Sequence, residues 1–229
     1  MRARLTPARA RLPLAAAALL SLPALVAVPP AAAATVQQST WSYDPVTNRL
    51  VGSGGELPFT LQGGTAVVAA GAPAVRFTKA LSLATWTGDS FPAPGTEDFT
   101  WTAVMSMDRL NARSTPNVAQ FGLYDAPQIK LQLSQKGVPQ CVFNGTGGRL
   151  NLTSGHASLN DGGAQHTFSC WRRGTTLGVT VDSLSTSTTF DVGSITPTGR
   201  PTIGNRTSTG SAKDQLFGKF WSLRVTIGS

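Results

Sequence analysis

The stretch HTFSCWRRGTTLGVTVD, residues His166 to Asp182, gathers side chains of four reactive types within a few positions. His166 is a candidate base, Cys170 a candidate thiol ligand or nucleophile, Trp171 a platform for a sugar ring, and Arg172 and Arg173 candidate contacts to a ligand. None of these chemistries is completed by its neighbours. The second histidine, His156, lies in a polar run, and no nucleophile elbow accompanies either histidine, so a Ser-His-Asp triad has no signature here. HExxH, phosphate-loop and dinucleotide fingerprints are absent. Glycoside hydrolysis needs carboxylates facing each other across a cleft. The sequence has two glutamates, Glu56 and Glu97, and Glu97 and Asp98 are adjacent, so on a strand they point to opposite faces. Cys141 and Cys170 lack CxxC spacing and a surrounding His cluster, which argues against a metal-thiolate site. His166 therefore reads as a structural residue, and enzyme activity as the second class of function after binding.

The elements that carry these residues read as strands. His166, Phe168 and Cys170 share one parity, Arg172-Arg173-Gly174-Thr175 forms a polar turn, and Leu177, Val179 and Val181 share a parity on the return, which predicts a β-hairpin. FTWTAVMSM places Phe99, Trp101, Ala103, Met105 and Met107 on one face and Thr100, Thr102 and Ser106 on the other. Ala119, Phe121 and Leu123 repeat the pattern, as do Ile129, Leu131 and Leu133 in QIKLQLS, and PQCVF carries Cys141 and Phe143 together. Trp221, Leu223, Val225 and Ile227 mark a closing strand too apolar to hang free. Residues 35–71 read as short strands among Asp-Pro and Gly-rich breakers, AVRFTKALSLATW as a strand pair, and TGDSFPAPGTED as an exposed loop. About a dozen short strands without an amphipathic helix predict an antiparallel β-sandwich.

The first 34 residues stand apart. Arg2, Arg4, Arg9 and Arg11 precede LPLAAAALLSLPALVAV and a run of alanines, the pattern of a cleaved secretory signal. Pro13 and Pro23 and the absence of a stop-transfer cluster argue against a permanent membrane span. Four of the 19 basic residues lie in this segment, so 15 face 11 acidic ones in the remainder, a net charge of +4. Those charges are scattered, which gives a nucleic-acid partner little support. Residues 35–229 are expected to form one secreted, extracellular domain. In an exported chain Cys141 and Cys170 are expected to pair, closing a loop of about 30 residues for roughly 3 to 4 kcal/mol in the chain-entropy model.

The order of FTWTAVMSM, QFGLYD, IKLQLS, DGGAQHTFSCWRRGTTLGVTVD, STTFDVGSI, RPTIGNR and DQLFGKFWSLRVTIG resembles a laminin G-like domain of the concanavalin A-like jelly-roll superfamily, from about Phe77 to Ile227. The paired cysteines and the signal resemble secreted actinobacterial members. Gln165 stands where the family often has Trp, Arg173 replaces a turn Asp, and Asp182-Ser183 replaces Asp-Gly. Gln128-Ile129-Lys130 is superficially similar to the QIH segment of jelly-roll alginate lyases, with Lys130 at the His position and the lyases' tyrosine-rich partner strand missing. The ExDxE strand of jelly-roll glucanases is absent.

The resemblance implies a jelly-roll fold and a non-catalytic module that binds extracellular glycan or a protein partner, with a polysaccharide hydrolase or lyase, or a structural surface protein, as alternatives. Trp86, Phe91, Tyr124 and Trp171, with Arg172 and Arg173, are the candidate contacts. Calcium is the one cofactor the resemblance suggests, with Asp89, Asp108, Asn111, Asp161 and Asp214 as oxygen donors. The Asn-x-Ser/Thr sequons at Asn144, Asn151 and Asn205 read as turn chemistry.

Overall fold

The computed structural model describes residues 36–78, 82–110, 115–206 and 214–228. The expected signal and Asn111 lie outside them. Sixteen strands follow in order: β1 (Gln37–Asp44), β2 (Arg49–Gly52), β3 (Phe59–Gln62), β4 (Thr65–Ala69), β5 (Ala72–Phe77), β6 (Leu83–Trp86), β7 (Phe99–Met107), β8 (Asn117–Phe121), β9 (Gln128–Leu133), β10 (Pro139–Gly145), β11 (Gly148–Thr153), β12 (His166–Arg173), β13 (Thr176–Val181), β14 (Leu184–Thr189), β15 (Thr202–Ile203) and β16 (Gly218–Ile227). Every ladder is antiparallel, and one path runs β11-β10-β9-β8-β15-β6-β3-β2-β1-β16-β7-β12-β13-β14, with β4-β5 attached to β16.

That path doubles over at the short β2-β3 ladder, so the β11-to-β3 layer faces the β1-to-β14 layer as a jelly-roll sandwich. The period-two apolar faces meet in between. Trp101 of β7 stacks on Phe121 of β8 at 6.3 Å, and Phe99 meets Phe143 of β10 at 6.1 Å. Each such buried ring contributes about 1.5–3 kcal/mol through the apolar area it removes from water. Cys141 of β10 and Cys170 of β12 are bonded, with Cα atoms 5.6 Å apart, so the disulfide links the two layers through the core.

The hairpin forms with a tighter turn than expected: Arg172 and Arg173 belong to β12, paired with Leu177 and Thr176 of β13, and Gly174-Thr175 alone lies between the strands. Gly174 supplies the left-handed residue of its turn at φ 55°. In the next turn the positive φ falls on Asp182 (51°), so the missing glycine at 183 costs nothing; a short polar Asp tolerates this conformation.

Four expectations are corrected. AVRFTKALSLATW is not a strand pair: β5 pairs with β4 and β16, while β6 pairs with β3 and β15. Leu123 lies beyond the end of β8 and is exposed rather than core. β16 carries a bulge between Phe220 and Ser222, so Phe220 shares the inner face with Leu223. Trp221 is displaced toward β4, where its indole donates to Ala69 O at 3.0 Å. Finally, loop 87–98 does not stand out in solvent throughout, because Phe91 is driven into the core.

Candidate functional site

The outer face of the β8-to-β11 layer is built from alternation. In β9, Ile129, Leu131 and Leu133 enter the core, which obliges Gln128, Lys130 and Gln132 to face outward. The ladders align further side chains beside them, polar except for Val142, in a row Thr85–Thr202–Gln120–Lys130–Val142–Asn151 across six strands and a second row Gln128–Asn144–Arg149. Hollows of about 420 and 300 Å³ meet over this face at Gln120 and Arg206. Tyr124, 61 % exposed, stands at the rim with Arg149 over its ring at 4.2 Å, and the same guanidinium donates to Tyr124 O at 2.7 Å.

The floor is polar yet buried. Gln120, Gln128, Gln132 and Lys130 are each less than 9 % exposed. The amides of Gln120 and Gln128 donate to Gly122 O at 2.6 and 3.3 Å, while their carbonyl oxygens find no partner among the described residues. Burial pushes the Lys130 ammonium down to about 8, against the attraction of Asp214. Asp214 is held by Arg206 at 3.2 Å. An array of amide donors and acceptors, two guanidiniums, an ammonium and an exposed ring suits the hydroxyls and ring faces of a sugar chain.

Of the residues proposed from sequence, Tyr124 is in this groove and Asp214 lines it. Trp86 is not a surface contact: it is 5 % exposed, packed against Trp41, Phe59 and Phe91 with ring centres 5.1–5.7 Å away. Arg172 shares the inward parity of Cys170 and is 2 % exposed. Its guanidinium donates to Gly95 O and Gly193 O, each at 2.9 Å, and to Glu97 O, so it clamps two loops at the sandwich end instead of reaching outward. Arg173 donates to Phe99 O and Thr100 Oγ1, both at 3.0 Å. Trp171 lies on the outer face of the other layer, flat over Gly178 where a Cβ would overlap the indole, and donates to Thr180 Oγ1 at 3.0 Å. Sequence reasoning missed Gln120, Gln128, Lys130, Gln132, Arg149 and Arg206. The signal for half of them was the alternation of QIKLQL, three long polar side chains on one strand face.

Among the described residues, three of the calcium candidates have other partners. Asp108 is paired with Arg76 at 2.7 Å and Lys219 at 3.2 Å, Asp89 faces Arg200 at 3.7 Å, and Asp161 accepts from His166 Nε2 at 2.8 Å. His166 is pinned on both sides, since its Nδ1 donates to Asp182 Oδ2 at 2.8 Å. Burial opposes the charged imidazolium, but the hydrogen bonds to Asp182 and Asp161 outweigh it and hold its pKa above the usual value. Both ring nitrogens of His166 are thus engaged by carboxylates.

Neither a protein-family model nor a curated protein matches the sequence. Solved structures do. Domain 4 of AbnA, a GH43 extracellular arabinanase from Geobacillus stearothermophilus in complex with arabinotriose, superposes with a TM-score of 0.59 at 12 % identity, covering 86 % of this chain and 94 % of that one. The Trypanosoma rangeli sialidase in complex with 2,3-difluorosialic acid gives 0.58 at 14 % identity over 82 % of this chain, which spans 30 % of the sialidase. Mouse laminin alpha1 domains LG4-5 give 0.46 at 15 % identity, over 83 % and 41 %. The first two likenesses show a shared β-sandwich fold. Among the described residues no helix is long and apolar enough to cross a membrane.

Proposed function

We propose that the chain is a secreted, non-catalytic module that binds an extracellular glycan in the groove over β8 to β11. The observation that carries this reading is the floor itself: long polar side chains buried beneath open hollows, with the carbonyl oxygens of Gln120 and Gln128 unpartnered among the described residues. Burying such groups unpaired costs about 1–3 kcal/mol each, so the floor keeps its polar atoms at the expense of stability. Tyr124 and Arg149 form the rim on which a sugar ring rests. The arabinanase domain supports the reading, because a domain of this fold is in complex with an oligosaccharide, arabinotriose.

The test is saturable binding of the untagged chain to a panel of neutral and acidic polysaccharides, followed by calorimetry. Tyr124→Ala and Gln128→Leu are each expected to weaken binding at least about tenfold, the loss of one stacking or hydrogen-bonding contact of about 1.4 kcal/mol. A panel with no binder overturns the proposal. Product released from the same panel, and lost in Lys130→Met, overturns it in favour of catalysis.

A further inference from the structure

Away from the groove, among the described residues, three potential metal donors converge at one corner of the hairpin layer: His156, His166 and Asp182, whose ligand atoms lie within 4.8 Å of one another. Asp182 Oδ2 is the focus, 2.8 Å from His166 Nδ1 and 3.8 Å from His156 Nε2. The two rings meet edge to face at 5.7 Å.

Each donor is fixed through its other polar atom. His156 Nδ1 lies 2.9 Å from Ala157 O, and a carbonyl can only accept, so Nδ1 carries a proton and Nε2 is the ring atom turned toward Asp182. His166 Nε2 donates to Asp161 Oδ2 at 2.8 Å. Asp182 Oδ1 accepts from the Thr167 backbone amide at 2.9 Å, leaving Oδ2 for the two imidazoles. A carboxylate or backbone carbonyl behind each ligating imidazole, orienting the ring and setting its tautomer, is the outer shell that metal-bound histidines require. The pocket opens to solvent on one side, since the Asp182 side chain is 42 % exposed while that of His166 is 8 %.

We infer that His156 Nε2, His166 Nδ1 and Asp182 Oδ2 form a binding site for a divalent transition-metal ion of the zinc class, with Asp161 as the positioning residue behind His166. Ion-to-donor lengths of about 2.0–2.2 Å place donors of a tetrahedral site about 3.3–3.6 Å apart. The observed 2.8 and 3.8 Å bracket that spacing, so small ring rotations suffice. Two imidazoles select zinc, cobalt, nickel or copper over calcium, whose hard-oxygen shell this set does not supply. The ion takes the place of the proton that now joins His166 Nδ1 to Asp182, and a fourth position stays open for water.

The experiment uses the untagged, metal-stripped chain. Zinc is titrated by calorimetry, and cobalt is followed by the visible absorption of its four-coordinate form. One equivalent is expected to bind, with a rise in melting temperature. His156→Ala is expected to weaken binding by at least about 100-fold through loss of a direct ligand, and Asp161→Asn by about 10- to 100-fold through the outer shell. Circular dichroism of both variants separates loss of binding from loss of fold, and Asp182→Asn is a second ligand variant should His156→Ala fail to fold. Absence of saturable one-to-one uptake, or uptake unchanged in folded His156→Ala, overturns the inference and leaves the cluster as a pin between the 154–165 loop and the hairpin.

Discussion

Lys130 offers a test in which stability and binding move in opposite directions. Its ammonium sits on the groove floor at 8 % exposure, and burial lowers its pKa from 10.5 to about 8. That interval, at about 1.4 kcal/mol per pH unit, corresponds to about 3 kcal/mol by which the charged lysine disfavours the folded state. The sign follows from proton counts. Below about 8 both states are protonated and the cost is complete; between about 8 and 10.5 the unfolded chain holds the proton that the folded chain has released, so stability rises with pH. Lys130→Met keeps the length of the side chain and removes the charge. Urea unfolding followed by tryptophan fluorescence is expected to show the variant about 3 kcal/mol more stable near pH 7, with the gap narrowing by about 2 kcal/mol by about pH 10. Glycan binding should weaken in the same variant. A gap that does not change with pH, or a variant less stable than the parent near pH 7, refutes the argument that a buried charge is retained at the expense of stability.

Replacing both Cys141 and Cys170 by Ala is expected to lower stability by about 3–4 kcal/mol in denaturant, and the addition of reductant should then have no further effect on the variant. Arg172→Met strands the carbonyls of Gly95, Glu97 and Gly193 and should cost about 3 kcal/mol or more by the same measurement. For Asp108, burial raises the pKa but the hydrogen bonds from Arg76 and Lys219 prevail and hold it below 3.8. Its contribution is therefore present above that value and lost as pH falls through the lower folded-state pKa, so the stability gap between parent and Asp108→Asn should close on acidification below 3.8. A gap persisting in acid counts against the ion pairs.

Local parity was readable because each strand of a two-layer sandwich has one apolar face: β7, β12 and β13 appear in the sequence nearly as they fold. Pairing was less readable. β5 and β6 are neighbours in the chain yet bond to different partners, since ladder choice is decided by packing across the whole sandwich. The bulge at Trp221 depends on β16 switching partners from β5 to β1, which its own alternation cannot announce. For the site, parity alone would have turned Arg172 inward, because it continues the series His166, Phe168, Cys170. Trp86 and Phe91 looked loop-borne, but loop 87–98 folds back and completes an aromatic cluster with Trp41, Phe59 and Phe121. The polar face of QIKLQL was visible as alternation, whereas its position beneath a hollow depends also on β15, Arg206 and Asp214, which come from a later part of the chain.

The ladder between the first and last strands has a mechanical consequence. Gln37 pairs with Ile227, so the two ends of the described fold leave from one corner, side by side. A load applied to those ends meets the β1–β16 hydrogen bonds one at a time and unzips them, rather than shearing the ladder as a whole. The extension is capped in advance. The bond between Cys141 and Cys170, 29 residues apart, withholds up to about 100 Å of contour from a pulled chain. Under tension an oxidised molecule is thus shorter than a reduced one by that length, and the strands β11 and most of β12 remain inside the closed loop after the corner has opened.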